Sequence, residues 1–193
     1  SEQIQPLLKG KSFIVRFADD CILGFTDKSD AERVMEVLPK RFAKYELTLH
    51  PEKTKLIDLN SKRGGSGRSF NFLGFTHFLG KSRKGKKVLM RKTSSKRLTR
   101  AITKISNFIK LNRHMKLRDL IAAINVKLRG HYVYYGMTFN SRSILLFYEQ
   151  VQRSLYKWLN RRGGKPAWNW ETFSKLVKLW NPLVKPFIKH SYV

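Results

Sequence analysis

One cysteine, Cys21, stands in the 193 residues, which excludes an internal disulfide framework and a metal site built from several thiolates. No uninterrupted apolar stretch approaches the roughly 20 residues of a bilayer-spanning helix, and no signal-peptide pattern opens the chain. The five histidines, His50, His77, His114, His131 and His190, are scattered and lack the spacing of zinc ligands. Acid is absent over a long interval: no Asp or Glu lies between Asp58 and Asp119. These gaps point away from a secreted scaffold, a zinc protein or a membrane span, and toward a reducing, intracellular setting.

What is present is cationic. Forty Lys and Arg face 13 Asp and Glu, a net charge of +27, far beyond what solubility requires. With 41% hydrophobic residues the chain is no disordered basic tail, and its length suits one ordinary domain or two small ones. The charge is uneven. Residues 1–58 carry ten basic and ten acidic side chains, the interval from Asp58 to Asp119 eighteen basic and no acidic ones, and residues 120–193 twelve against two. A neutral part followed by a basic part is what an active centre beside a polyanion cradle would show. A membrane-surface protein is the rival reading, disfavoured by apolar residues that recur at core-like periods.

Ser12 to Phe17 and Cys21 to Phe25 are short β-branched and aromatic runs, read as a hairpin with Ala18-Asp19-Asp20 at its tip. On a regular strand adjacent side chains face opposite ways; a tight turn breaks that alternation and lets two carboxylates share one cation. Mg²⁺, a hard oxygen-seeking ion held by one or two carboxylates plus substrate phosphates, suits the pair. An ordinary acidic turn is the alternative, since Asp is a favoured turn residue. Downstream, Ser29-Asp-Ala-Glu32 reads as a capping box opening a helix that Pro39 should kink or restart. Leu47–Leu49 and Lys55–Asp58 read as a strand pair around a turn. Lys62–Arg68 is a Gly-rich loop without the P-loop ending. Phe70–Phe75 reads as one strand, Lys81–Lys87 as a basic turn, and Val88–Arg91 as a further strand.

From Ser94 the period becomes helical. Leu98, Ile102, Ile105, Phe108, Ile109 and Leu111 form one stripe, and Leu117, Leu120, Ile121, Ile124 and Leu128 a second that Gly130 would close. Ser141–Asn160 makes a third helix with Ile144, Leu145, Tyr148, Val151, Leu155 and Trp158 inward, and Glu171–Trp180 a last one. The expected fold class is α+β: a mixed part over 1–92, then an all-α part over 93–193.

Taken in order, these boxes resemble a known family. FADD between apolar strands is similar to the aspartate box of reverse transcriptases. LTLHPEKTKL (Leu47–Leu56) resembles the block that follows it, and FNFLGF (Phe70–Phe75) the block associated with the primer grip. Leu128–Tyr135 and the run Tyr156–Arg162 resemble the thumb and maturase-specific region of group II intron-encoded proteins. The resemblance implies a palm remainder of antiparallel hairpins plus a helix, followed by a helical thumb/maturase bundle. The implied chemistry is RNA-templated DNA synthesis, an RNA-directed DNA polymerase working at a two-Mg²⁺ site. Asp19 and Asp20 would be the catalytic metal ligands, Lys53 would meet the triphosphate of the incoming dNTP, and Phe72, Leu73 and Gly74 would support the primer end. Nucleic acid would be gripped by Lys81, Arg83, Lys84, Lys86, Lys87, Arg91, Lys92, Lys96, Arg97, Arg100, Lys104, Arg129, Arg161 and Arg162. One or two of Tyr132, Tyr134, Tyr135, Trp168 and Trp170 would stack on unpaired bases.

The chain departs from the family pattern before the FADD box. Only eighteen residues precede Asp19, and none is an aspartate, whereas the family site takes a further aspartate from an earlier block. A C-terminal portion is expected, with an incomplete two-metal site, inactive alone unless an N-terminal half or a second copy completes it. No Cys-x-x-Cys or His-rich endonuclease pattern follows Trp180. The implied partners are group II intron RNA, a DNA primer and an RNA template, with no membrane. The implied compartment is cytoplasmic, a bacterial host foremost, or organellar. A splicing cofactor that binds RNA without catalysis is the alternative function.

Overall fold

A computed structural model describes residues 8–60, 68–82, 84–163, 168–180 and 182–191. The fold is α+β, with two small antiparallel sheets and five helices among the described residues. The chain divides into two compact units, Ser1–Arg68 and Ser69–Val193. The sheet that follows Arg68 therefore belongs with the helices.

In the first unit β1 (Ser12–Phe17) pairs with β2 (Asp20–Phe25), from Ser12 opposite Phe25 to Phe17 opposite Asp20. The connection is the two-residue turn Ala18-Asp19, one residue tighter than the sequence pattern suggests, with Asp20 inside β2. Phe13, Ile14, Val15 and Phe17 are all about half exposed or more. A run without alternation is typical of a strand covered on both faces; here α1 (Lys28–Ala43) lies against β2.

The N-cap of α1 is Asp27, not Ser29. Its Oδ1 accepts the Asp30 amide (3.1 Å) and the Ser29 hydroxyl (2.6 Å). These two bonds, the hydroxyl foremost, hold the Asp27 carboxyl below its ordinary pKa. Asp30 turns inward instead, 1% exposed, and Oδ2 accepts from the Gly10 amide at 2.8 Å. One helix runs through Pro39 without a restart. Pro39 is exposed, where water can satisfy the carbonyl that its missing N–H leaves unbonded. The expected strand pair over 47–58 does not form. Leu47 and Leu56 stay 57% and 49% exposed, so a two-stranded ribbon there has no face to bury. A turn takes its place, with the Lys53 and Thr54 amides donating to the His50 carbonyl at 3.1 and 3.0 Å.

In the second unit β3 (Ser69–Phe72), β4 (Phe75–Lys81) and β5 (Lys87–Thr93) form an antiparallel meander. Phe70–Phe75 is thus a hairpin, not one strand: Leu73 (φ 50°) and Gly74 (φ 81°) both sit in the left-handed region, the type I′ pattern that matches strand twist. Helices α2 (Ser95–Leu111), α3 (Leu117–Tyr135), α4 (Ser141–Leu159) and α5 (Trp170–Trp180) follow. Ile109, Leu120, Ile121, Ile124, Leu128, Tyr132, Val151 and Leu155 are fully buried at their centre. Each aliphatic side chain so buried contributes about 1.5–3 kcal/mol. Two residues of the expected stripes fall outside: Leu111 at the end of α2 is 77% exposed and Leu145 49%.

Gly130 does not close α3. The apolar face continues through His131, Tyr132 and Tyr135, and the helix ends at Gly136, whose amide donates to the Tyr132 carbonyl (2.7 Å). A Cβ at Gly136 would lie 2.7 Å from the Phe187 carbonyl oxygen, because residues 187–190 run directly over this corner. The Lys189 and His190 amides both donate to the Gly136 carbonyl, at 2.7 and 2.9 Å. Asn140, fully buried, ties the same corner to the sheet. It accepts from the Thr93 amide (2.7 Å) and donates to the Thr93 hydroxyl (2.9 Å) and the Tyr135 carbonyl (2.7 Å). Asn125 holds the C-terminal segment lower on α3, accepting from the Val184 amide and donating to the Pro182 carbonyl. Among the described residues no helix is long and apolar enough to cross a membrane.

Candidate nucleic-acid site

Asp19 occupies the second position of the β1–β2 turn and Asp20 the first position of β2. Ala18 has φ 50°; a positive φ at the first central position alone is the type II′ signature. A side chain there costs about 1–2 kcal/mol, the kind of local strain that collects at functional turns. Both carboxylates are exposed, and among the described residues neither makes an ion pair or a side-chain hydrogen bond. They are two hard oxygen donors with no protein partner, which suits a divalent cation that takes its remaining ligands from phosphates and water. No group of three or more acidic, His or Cys residues forms among the described residues. Lys53, in the turn after His50, is exposed and has no ion pair with either aspartate.

Phe72, Leu73 and Gly74 make the tip of the β3–β4 hairpin, held from α3 by two tyrosines. The Tyr134 hydroxyl donates to the Leu73 carbonyl at 3.0 Å. A Cβ built on Gly74 would meet the Tyr135 hydroxyl at 3.3 Å, with Arg97 close behind. Phe75, 5% exposed, anchors the hairpin by stacking near-parallel on Tyr134 (centroids 6.0 Å). Next to it, His77 stacks on Phe70 (5.0 Å); burial, then the Arg91 charge, lowers its pKa. The sequence offered Tyr134 as a base-stacking candidate and gave no signal of this clamp, because its partner is a carbonyl 61 positions earlier.

The basic residues fall into three settings. Lys81, Lys84, Lys86 and Lys87 line the exposed β4–β5 turn; Arg83 lies outside the described residues, as do 62–67 of the Gly-rich loop. Lys96, Arg97, Arg100 and Lys104 are exposed on α2, as Arg129 is on α3, and Lys96, Arg100 and Lys104 share a face by i,i+4 spacing. Others are engaged within the protein. Lys92 lies over Phe78, Arg161 lies 5.4 Å from the Trp158 ring, and Arg91 approaches the Met137 sulfur. Arg162 donates through Nη2 to the Met115 carbonyl (2.9 Å), and burial lowers its pKa. That bond gives Arg162 a role in holding the α2–α3 loop. Trp158 also gathers Lys110 and Lys157 at 5.3 and 5.0 Å.

The reverse transcriptase (RNA-dependent DNA polymerase) family model matches residues 1–77, and that of the group II intron maturase-specific domain matches 86–179. The chain belongs to the group II intron reverse transcriptase/maturase family. No curated protein matches it. The paired aspartates, Lys53 and the Phe72–Gly74 hairpin tip fall in the reverse transcriptase match. The α2 cations, Arg129, Arg161 and Arg162 fall in the maturase-specific match.

Proposed function

We propose that this reverse transcriptase/maturase works on group II intron RNA and on a DNA primer paired to an RNA template. One observation carries the reading: two unengaged carboxylates, Asp19 and Asp20, are displayed at a strained turn of an apolar hairpin inside the reverse transcriptase match. Asp19 and Asp20 would hold Mg²⁺, an ion usually bound by one or two carboxylates together with substrate phosphates. The ion, when bound, supplies activation of the primer hydroxyl and neutralisation of the leaving pyrophosphate. Lys53 offers a cation to the triphosphate of the dNTP. Phe72, Leu73 and Gly74 support the primer end, where the missing Cβ of Gly74 permits close backbone approach. Lys81, Arg83, Lys84, Lys86, Lys87, Arg91, Lys92, Lys96, Arg97, Arg100, Lys104, Arg129, Arg161 and Arg162 supply the charge that grips phosphates without reading sequence.

On this reading 1–92 is the end of the palm and 93–193 the thumb/maturase region. The uncovered face of β1 suits a larger sheet completed by an N-terminal half or a second copy. Two carboxylates are fewer than a two-metal site needs, so the 193 residues alone bind RNA and do not polymerise. The concentration of cations in 69–193 favours one second reading, a splicing cofactor that retains RNA binding alone.

Mg²⁺-dependent extension of a DNA primer on an RNA template, by this chain and by Asp19→Ala, tests the proposal beside RNA binding at graded salt. The expected result is no extension by either protein, with equal RNA affinity whose logarithm falls linearly with log salt, by about 0.7 per phosphate contact. Extension lost in Asp19→Ala would show that another carboxylate, or a second chain, completes the site. Salt-independent RNA binding would refute the phosphate grip.

A further inference from the structure

Helices α2 and α4 pack together through Ile105, Ile109, Val151 and Leu155. Beside that contact they leave a groove of about 350 Å³. Polar and charged side chains line it: Thr103, Ser106 and Asn107 on α2 face Gln150, Arg153 and Ser154 on α4, with Lys157 and Ile102 completing the lining. Arg153 and Lys157 lie one turn apart and share a face. Both are exposed, and among the described residues neither has a carboxylate partner, the ion pairs there being Lys28–Glu32 and Lys175–Glu171. Ser106 Oγ accepts from Trp158 Nε1 at 3.2 Å, so its own proton remains available to another acceptor. Lys110 and Arg161 add charge at the Trp158 end of the same face.

We infer that this groove is a binding site for the sugar–phosphate backbone of an RNA strand. The inference rests on the nucleic-acid reading above and adds residues that reading does not use. The chemistry selects the ligand. Hydroxyls and amides of Thr103, Asn107, Gln150 and Ser154 donate to phosphate oxygens, while two cations without a carboxylate partner neutralise the charge, the usual division of labour in backbone recognition. The groove lining includes no carboxylate and one aliphatic side chain. Two cations and no carboxylate in the lining favour an anionic ligand over a cationic one.

The test compares binding of a labelled oligouridylate to the unaltered chain, to Arg153→Gln/Lys157→Gln, and to the charge-conserving Arg153→Lys/Lys157→Arg, across a salt series. Removing two phosphate contacts should reduce the slope of log affinity against log salt by about 1.4, at roughly 0.7 per contact on a single strand. The exchanged pair should keep most of the slope, and Arg33→Gln/Lys40→Gln on α1 should leave it unchanged. Ser154→Asp, which sets an anion in the groove while both cations remain, should weaken binding further as salt is lowered. Failure of the unaltered chain to bind would overturn the nucleic-acid reading itself. Binding with an unchanged slope in Arg153→Gln/Lys157→Gln would overturn the groove alone. If that variant instead lost binding only to a polyglutamate peptide, the groove would belong to an acidic protein segment, and the inference would also fall.

Discussion

Asn140 to alanine is the perturbation whose consequence follows most directly from the structure. The side chain is wholly buried and makes three hydrogen bonds, to the Thr93 amide, the Thr93 hydroxyl and the Tyr135 carbonyl. Removing it leaves the Thr93 backbone N–H in the interior with no partner, at about 1–3 kcal/mol; the bonds to the Thr93 hydroxyl and to the Tyr135 carbonyl, which still accepts from the Met137 amide at 2.8 Å, are lost at about 0.5–1.5 kcal/mol each. The sum is on the order of 2–4 kcal/mol, or roughly 8–16 °C in the melting temperature of a unit this size. Asn140→Asp separates geometry from volume. It keeps an acceptor for the Thr93 amide but sets an oxygen against the Tyr135 carbonyl and buries a charge. At neutral pH it should therefore cost at least as much as alanine.

The assay is selective by construction. Trp158, Trp168, Trp170 and Trp180 are the four tryptophans of the chain, and all belong to the second unit. Tryptophan fluorescence during urea unfolding thus follows that unit alone. The expected result is a lower midpoint with an unchanged m value. Either variant lying within about 1 kcal/mol of the parent would refute the argument that buried amide bonds hold the corner between α3 and α4 to the sheet.

Gly130 within α3 and Gly136 at its C-cap should respond oppositely to alanine. Gly130→Ala meets nothing within 4 Å and should stabilise by about 0.5–1 kcal/mol. At Gly136 the added carbon would press on the Tyr132 and Phe187 carbonyl oxygens and should cost about 2–4 kcal/mol; the same urea titration reads both. His131 stacks on Phe147 at 3.8 Å, and burial lowers its pKa from 6.5 to about 4. Its folded pKa lies below the unfolded one, so the folded state binds fewer protons. The stability of the second unit is then full above pH 6.5 and falls as pH drops toward 4. His131→Phe should flatten the midpoint between pH 6.5 and 5; an unchanged slope would place its origin in other groups.

Elements whose apolar residues repeat over several turns were legible in the sequence. The stripes through Ile105 and Ile109, through Leu120 to Leu128 and through Val151 and Leu155 specify α2, α3 and α4, because each periodic position points to one shared core. Local features were legible where they end in a turn, as at Ala18-Asp19. Misreadings came from partners distant in sequence. Leu47–Leu49 and Lys55–Asp58 have strand composition but no face to cover, so composition lost to the absence of a partner. Gly130 looked like a helix terminus until Tyr132 and Tyr135 supplied contacts that carried the helix onward. Phe70–Phe75 hid its turn because Leu73 is an unusual residue at positive φ. At the candidate site the residue types of Asp19, Asp20 and Lys53 were evident, whereas the tyrosine clamp on Leu73 and the ring contacts of Arg161 depend on tertiary approach and left no local trace.

The crossing of residues 187–190 over Gly136 bears on the order in which the chain is made. Helix α3 emerges from the ribosome more than fifty residues before the segment that supplies Val184 to Asn125 and the Lys189 and His190 amides to the Gly136 carbonyl. Until then Asn125 and the α3 terminus face water, and α2 to α4 can collapse around their leucines and isoleucines but cannot close. Native closure of the second unit therefore waits until residues 182–190 have been made. A chain halted between α5 and residue 184 would hold its helices without the lock that fixes their last turn.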